Sequence, residues 1–336
     1  MSQKDDKKGS SELPHKIETI ADRVRQMGES ARSKGPKQLP LFGEKYAVAP
    51  NEFGRAALFK VRNNKEPRQR YDDSVVFTAG NHRILFSGEE LRDDDDQLVW
   101  YSILRLAQAS GQDLREPFEV TGWQLLHDLK WGNDGKSYRR LRACIKRLRR
   151  ASLTVHSPKF DGVSESKSLD FNMIRKYEFG DGISHEAENE PAFDTFDEGG
   201  KLLEPNYEEL DRNQIKDAIR RSKWKIWLEE EVYLLFRADQ FALLNWDNFL
   251  ELGSVARQMY LYYSTHRSPF PHPVSLIYRL VDSNDTNTSR FRNKVIRALD
   301  ELKQIDFLAD HSIERKPDGQ YEISVRRKLK DQTPKK

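Results

Sequence analysis

Residues Asn133–Ser152 read NDGKSYRRLRACIKRLRRAS. From Lys136 to Arg150 this stretch holds eight lysines or arginines and no acid. At helical period Tyr138, Leu141, Ile145 and Leu148 fall on one stripe. Lys136, Arg139, Arg140, Ala143, Lys146, Arg147 and Arg150 cluster on the opposite face, and Arg142 and Arg149 flank the stripe, where their stems can lie along it. Solvated helix faces usually mix charge signs, because Glu/Lys pairs four residues apart support one another. A face of one sign repels itself and suits a polyanion. The stretch is therefore read as a helix that buries one edge and offers the other to DNA or RNA.

Composition bounds that reading. The chain has 336 residues, enough for two domains, and one third of them are charged, yet the net charge is only +3. The small sum hides segregation: residues 181–211 hold eleven acids and one lysine, a local net of −10, so the remainder carries +13. A single cysteine, Cys144, leaves no internal disulfide and no thiolate zinc cluster, and it suits a reducing cytoplasm. The N-terminus MSQKDDKKGSSEL has no apolar core of a signal peptide, and no run reaches the length of a membrane span. A cytoplasmic protein is expected.

Outward from the basic helix the punctuation predicts a repeated plan. Residues 1–37 read as a flexible tail, followed by an apolar peptide, Gln38, Leu39, Pro40, Leu41 and Phe42, of the kind that docks in a groove. Order is expected from Asn51. Val75–Phe77 and Ile84–Phe86 around Ala79–Asn81 predict a hairpin, and a helix is expected to open at Ser87 or Gly88 and run to Ser110. Its Asp93–Asp96 run reads as an acidic first turn that complements the helix dipole. Four successive aspartates on a helix point four ways, so they are not expected to converge on one metal ion. Pro117–Val120 predicts a strand, Thr121 a helix cap, and residues 121–131 a helix ahead of the basic one. Leu153–His156 and Ser168–Ile174 predict a second hairpin, and Trp224, Ile226 and Leu228 a strand that pairs back across an acidic insertion at 181–222, itself read as a solubilising spacer. Hairpin, helix, strand, helix, turn, basic helix and hairpin in that order predict a winged helix.

The second half repeats it: helices over 252–266, 274–281 and 289–304, then strands at Phe307–Ala309 and Tyr321–Val325. The expected fold class is α+β, with tandem winged-helix domains behind a flexible N-terminal tail. The boundaries expected are 1–50 for the tail, 51–238 and 239–330 for the two domains, and 331–336 for a basic tail.

The two exposed faces differ in chemistry. Lys136, Arg139, Arg140, Lys146, Arg147 and Arg150 suit phosphates or guanine edges. Ser289, Arg290, Asn293 and Arg297 form a mixed donor and acceptor set, with Asn293 or Arg297 expected to read base edges. Lys159, Lys167, Arg315 and Lys316 are expected in wing turns, holding phosphates. With ~8 phosphates neutralised, the log–log salt slope would be near −7. No catalytic constellation is legible. GNDGKS at 132–137 lacks the first glycine of GxxxxGK[ST], since Lys130 stands there, and the histidines are scattered without metal-ligand spacing. No cofactor, no metal and no enzymatic activity are expected.

Several strings together, QLPLF (38–42), NEFGRAALF (51–59), VRNNKEPR (61–68), FSGEELRDDDDQLVW (86–100), GKSYRRLRACIKRL (135–148) and YYSTHRSPFP (262–271), resemble the TrfA family of plasmid replication initiators. The resemblance spans roughly residues 38–310 without 181–222, and GEELRDDDDQLVW is its most specific string. It implies binding to double-stranded origin DNA at direct repeats (iterons), opening of an AT-rich segment, with single-stranded DNA as a further partner, and recruitment of the replicative helicase with its loader. It also implies that QLPLF docks on the bacterial sliding clamp through Gln38, Leu39, Leu41 and Phe42, with Pro40 in place of the family's Ser or Asp. A homodimer belongs to the same set of implied states. The competing expectation is a winged-helix transcription regulator that binds an inverted repeat as a dimer.

Overall fold

The computed structural model describes residues 39, 43, 45–62, 66–111, 113–160, 167–180, 222–236 and 241–328. The residues before Leu39, residues 161–166, the acidic stretch 181–221 and the basic residues after 328 are among those that lie outside them. The chain is mixed helix and strand, and all its strand pairs are antiparallel among the described residues, bar one isolated parallel bridge between Lys60 and Arg92.

The first half builds on strands β2 (Arg70–Val76) and β3 (Arg83–Glu89), which pair as the expected hairpin after the strand β1 (Tyr46–Pro50) and the single helical turn α1 (Asn51–Gly54). Helix α2 (Leu98–Ser110) follows and ends at Gly111, whose φ of 63° closes it in the left-handed region. Strand β4 (Phe118–Thr121) leads into α3 (Gly122–Asp128), then the basic helix α4 (Gly135–Arg150). Strands β5 (Ser152–His156) and β6 (Ser168–Asn172) extend the first hairpin into a sheet of order β2-β3-β5-β6. Strand β7 (Lys176–Glu178) and β8 (Lys223–Trp227), on either side of the acidic stretch, form a second sheet of order β4-β8-β7. The expected pairing across the insertion is thus present, but β8 also takes β4 as a neighbour.

The second half runs through the turn α5 (Glu231–Leu234), β9 (Phe241–Asn245), α6 (Trp246–Glu251), α7 (Ser254–Ser264), β10 (His272–Pro273), α8 (Val274–Leu280) and α9 (Thr288–Gln304) to the hairpin β11 (Leu308–Arg315) and β12 (Tyr321–Arg327). Its sheet has the order β10-β12-β11.

Two expectations are corrected here. Residues 46–50 are no part of a tail: β1 is almost entirely buried and pairs with β9, Val48 opposite Leu243. Ala47, Val48 and Ala49 are fully buried, and the first strand among the described residues pairs with a strand 190-odd positions later in sequence. Nor does the first long helix open at Ser87 or Gly88. Strand β3 continues to Glu89, and Asp93–Gln97 forms a π-helical turn before α2 begins.

Both halves share one apolar core. Tyr101 of α2 meets Phe249 of α6 edge-on at 5.6 Å between ring centres, and Trp246 Nε1 donates to the Asp128 carbonyl at 3.0 Å. Lys60 and Arg62 hold Asp282 from across the same seam. Burial of this kind stabilises by roughly 25 cal/mol per Å² of apolar surface, so the halves are packed against each other rather than strung on a linker.

Candidate nucleic-acid interface

Local chemistry sets up helix α4. Thr121 Oγ1 accepts from Gln124 N at 3.0 Å while Gln124 Oε1 accepts from Thr121 N at 2.7 Å, a reciprocal cap for α3. Gly122 is required there: a Cβ would sit 2.7 Å from Tyr138 Cε1 and 2.8 Å from Trp224. In the turn that follows, Lys130 takes φ 54°, the left-handed conformation that glycine usually supplies, and pairs with Asp247. Asp134 then caps α4 by accepting from Ser137 N at 2.9 Å. Leu141, Cys144, Ile145 and Leu148 are buried, and Lys136, Arg139, Arg140 and Arg150 are exposed, as the stripe predicts. Lys146 and Arg147 are half-buried.

The cations of this helix are not equivalent. Arg147 Nε donates to Asp96 Oδ1 at 2.8 Å, and its other end reaches Cys144 Sγ at 3.2 Å. Arg140 pairs with Asp95, reaches the Asp94 carbonyl at 3.1 Å and stacks 3.9 Å above the Trp131 ring. Arg147 therefore points at the aspartate quartet, and Arg140 is shared between it and solvent. Lys159 is corrected in its role. It sits in the connection between β5 and β6, as expected, but its side chain turns inward against Glu52, Nζ to Oε2 at 2.6 Å, and also donates to the Leu235 carbonyl. Burial pushes its ammonium below the ordinary lysine range, and Glu52 opposes that shift. Lys167 is exposed at the foot of β6.

Helix α9 keeps its outward face. Asn287 caps it by accepting from Arg290 N at 2.8 Å, and Phe291, Val295, Ala298, Leu299 and Leu302 are buried. Ser289, Arg290, Asn293 and Arg297 are all exposed, together with Lys294 and Ile296. Their main acidic neighbour is Asp285, held 2.9 Å from Lys294 Nζ; that lysine and the Asn287 backbone keep the carboxyl below its ordinary range. In the hairpin, Arg315 is exposed, whereas Lys316 pairs with Glu322 at 2.6 Å.

The quartet itself carries the largest surprise. It is not a solvated first turn: Asp93, Asp95 and Asp96 are buried, Asp96 completely. Asp93 Oδ2 and Asp94 Oδ1 accept from Arg257 Nη1 at 3.0 and 3.2 Å. Arg68 bridges Asp95 and Asp96 at 3.1 and 2.7 Å, and Arg92 N donates to Asp96 Oδ2 at 2.9 Å. Burial and the neighbouring Asp94 push the Asp93 carboxyl up to about 7, against the pull of Arg257. A sequence signal existed, an equal supply of arginines in α4 and elsewhere, but nothing in one dimension says which of them turn inward.

Of the predicted apolar peptide, Leu39 is buried in the common core, and Gln38, Leu41 and Phe42 lie outside the described residues. Among the described residues no group of His, Cys, Asp or Glu is arranged to hold a metal ion, and no helix is long and apolar enough to cross a membrane.

Each half of the described chain offers one capped amphipathic helix to solvent ahead of a β-hairpin. The chain matches the family described as TrfA protein over residues 29–185 and 203–314, so the break in the match falls inside the acidic stretch. It is 28% identical over 298 residues to the plasmid replication initiator protein TrfA of Escherichia coli, covering 85% of this chain and 67% of that protein. The crystal structure of domains 2 and 3 of RctB superimposes with a TM-score of 0.52 at 15% identity, over 84% of this chain and 99% of that one, a likeness of fold alone. The chain belongs to the TrfA family.

Proposed function

We propose that the protein is a plasmid replication initiator that binds direct repeats at an origin through two winged-helix modules, helices α4 and α9 each entering a major groove. What carries this reading is the pair of exposed helices in one packed body, one rich in Arg and Lys, the other mixing Ser289, Asn293 and Arg297. A single chain with two unlike readers suits an asymmetric repeat, whereas a regulator with one reader per chain needs a dimer and a palindrome. The relative in Escherichia coli bears an initiator's name, which supports the same role.

Opening of an AT-rich segment, and delivery of helicase and sliding clamp, complete the proposal. The protein acts there by binding and deforming DNA rather than as an enzyme, in the bacterial cytoplasm. For the clamp, Gln38, Leu39, Leu41 and Phe42 form the docking peptide, and because Leu39 is buried, docking competes with the fold for that side chain. Footprinting of the monomer tests the core of the proposal. Protection of direct repeats is expected, and protection confined to inverted repeats by a dimer would replace it with the regulator. Combined Leu41→Ala and Phe42→Ala substitution is expected to abolish plasmid replication while leaving repeat binding intact; unchanged replication would remove the clamp from the proposal.

A further inference from the structure

Asp93–Asp96 lies on a polar path that joins the two exposed helices. On one side Arg140 and Arg147 bring α4 to Asp95 and Asp96. On the other, Arg257 and Ser254 of α7 hold Asp93 and Asp94, Ser254 Oγ at 3.2 Å from Asp94 Oδ1. Arg257 is in turn fixed by the Phe249 and Leu252 carbonyls at 3.1 and 2.9 Å. At the same end of α7, Gly253 N donates to Glu301 Oε2 of α9 at 2.8 Å. The path from α4 to α9 is therefore continuous in hydrogen bonds and ion pairs, short of the backbone of two turns.

We infer that the Asp93–Asp96 turn and its partners Ser254, Arg257 and Glu301 position α4 relative to α9, and so fix the spacing between the two DNA segments that one chain engages. The inference rests on the proposal that both helices read one duplex. Apolar packing is non-directional, and cores of similar volume accept alternative arrangements. Guanidinium–carboxylate contacts are planar and directional, so they distinguish one relative rotation from its neighbours. Successive aspartates project in different directions around a helical turn. That divergence, which disqualifies them as ligands of one ion, lets Asp93 and Asp94 take Arg257 of α7 while Asp95 and Asp96 take Arg140 and Arg147 of α4 together with Arg68. Asp93 to Asp96 with Glu90 face Arg68, Arg92, Arg140, Arg147 and Arg257, five carboxyl groups against five guanidiniums. Ser254, Arg257 and Glu301 are not among the side chains assigned to DNA, which makes them positioning residues.

The test uses the full chain and duplexes carrying the footprinted repeat, with one base pair inserted or deleted between the two protected segments. Each such change rotates one segment by roughly 35° about the helix axis. The wild type is expected to lose about tenfold or more in affinity per change. The Ser254→Ala/Glu301→Ala variant cuts the path without stranding a buried charge. It is expected to lose less than about threefold, while its affinity for a duplex with a single segment stays at the wild-type value. Arg257→Gln is expected to flatten the spacing profile further if it folds. A variant that keeps the wild-type spacing profile overturns the inference, as does one whose single-segment affinity falls in parallel. A wild type indifferent to spacing overturns the tandem reading itself, a different failure.

Discussion

Helices α4 and α9 are alike in one dimension and unlike in three. Each is amphipathic, capped by an Asp or Asn side chain, and followed by a β-hairpin. The first has the denser charge, but part of it is directed inward: Arg147 serves Asp96, and Arg140 is divided between Asp95, Trp131 and solvent. The second has fewer cations and keeps its polar face exposed. Charge density along a helix is thus a poor measure of the charge available to a polyanion. A buried carboxylate without a partner is far costlier than an exposed cation without one, so arginines within reach are taken by the aspartates first.

The comparison can be broken on α4 alone. Arg147→Ala strands part of the Asp96 charge and is expected to cost about 3–5 kcal/mol of stability, read by chemical denaturation. A loss below about 1 kcal/mol would mean that the pair behaves as a surface contact. On α9, Asn293→Ala is expected to relax sequence preference by about 1–3 kcal/mol at one base-pair position, with affinity for unrelated DNA unchanged. Equal weakening on every sequence would cancel the division into a reading helix and a gripping helix. Arg139→Ala, on the exposed face of α4, is expected to weaken binding to all sequences alike and to lower the salt slope by roughly one unit without changing stability. For the whole protein the same logic removes Arg147 and Lys159 from the phosphate contacts, so the expected log–log slope falls from near −7 to about −5. A titration series in potassium chloride distinguishes the two.

The smallest expected effect concerns Asp93. Its folded carboxyl is held up to about 7 by burial and by Asp94, while Arg257 and Ser254, the other groups facing it, pull it down. A carboxyl raised above its unfolded value binds a proton in the folded state that the unfolded chain has released, so its contribution to stability declines as pH rises from about 4 to about 7. Wild type is therefore expected to lose Tm relative to Asp93→Asn between pH 5 and pH 8. A Tm difference constant across that range would place the proton elsewhere.

Much of this architecture is legible in the sequence. The stripe of α4, the cap at Thr121, the hairpins, the pairing back of Trp224 and Ile226 across the insertion, and the exposed face of α9 all follow from periodicity and turn chemistry acting over a few residues. The misplaced features share one cause. Tyr46–Pro50 is a strand only because β9 lies beside it, Lys159 is buried only because Glu52 is there to meet it, and Asp93–Asp96 is an interior turn only because arginines arrive from distant elements. Hydrophobic period and capping are properties of neighbours in the chain, and sequence alone determined the elements, their order and two candidate readers. Which charges stay exposed and which face each other was decided only by tertiary structure, because the cost of burying an ion depends on a partner that the chain order does not reveal.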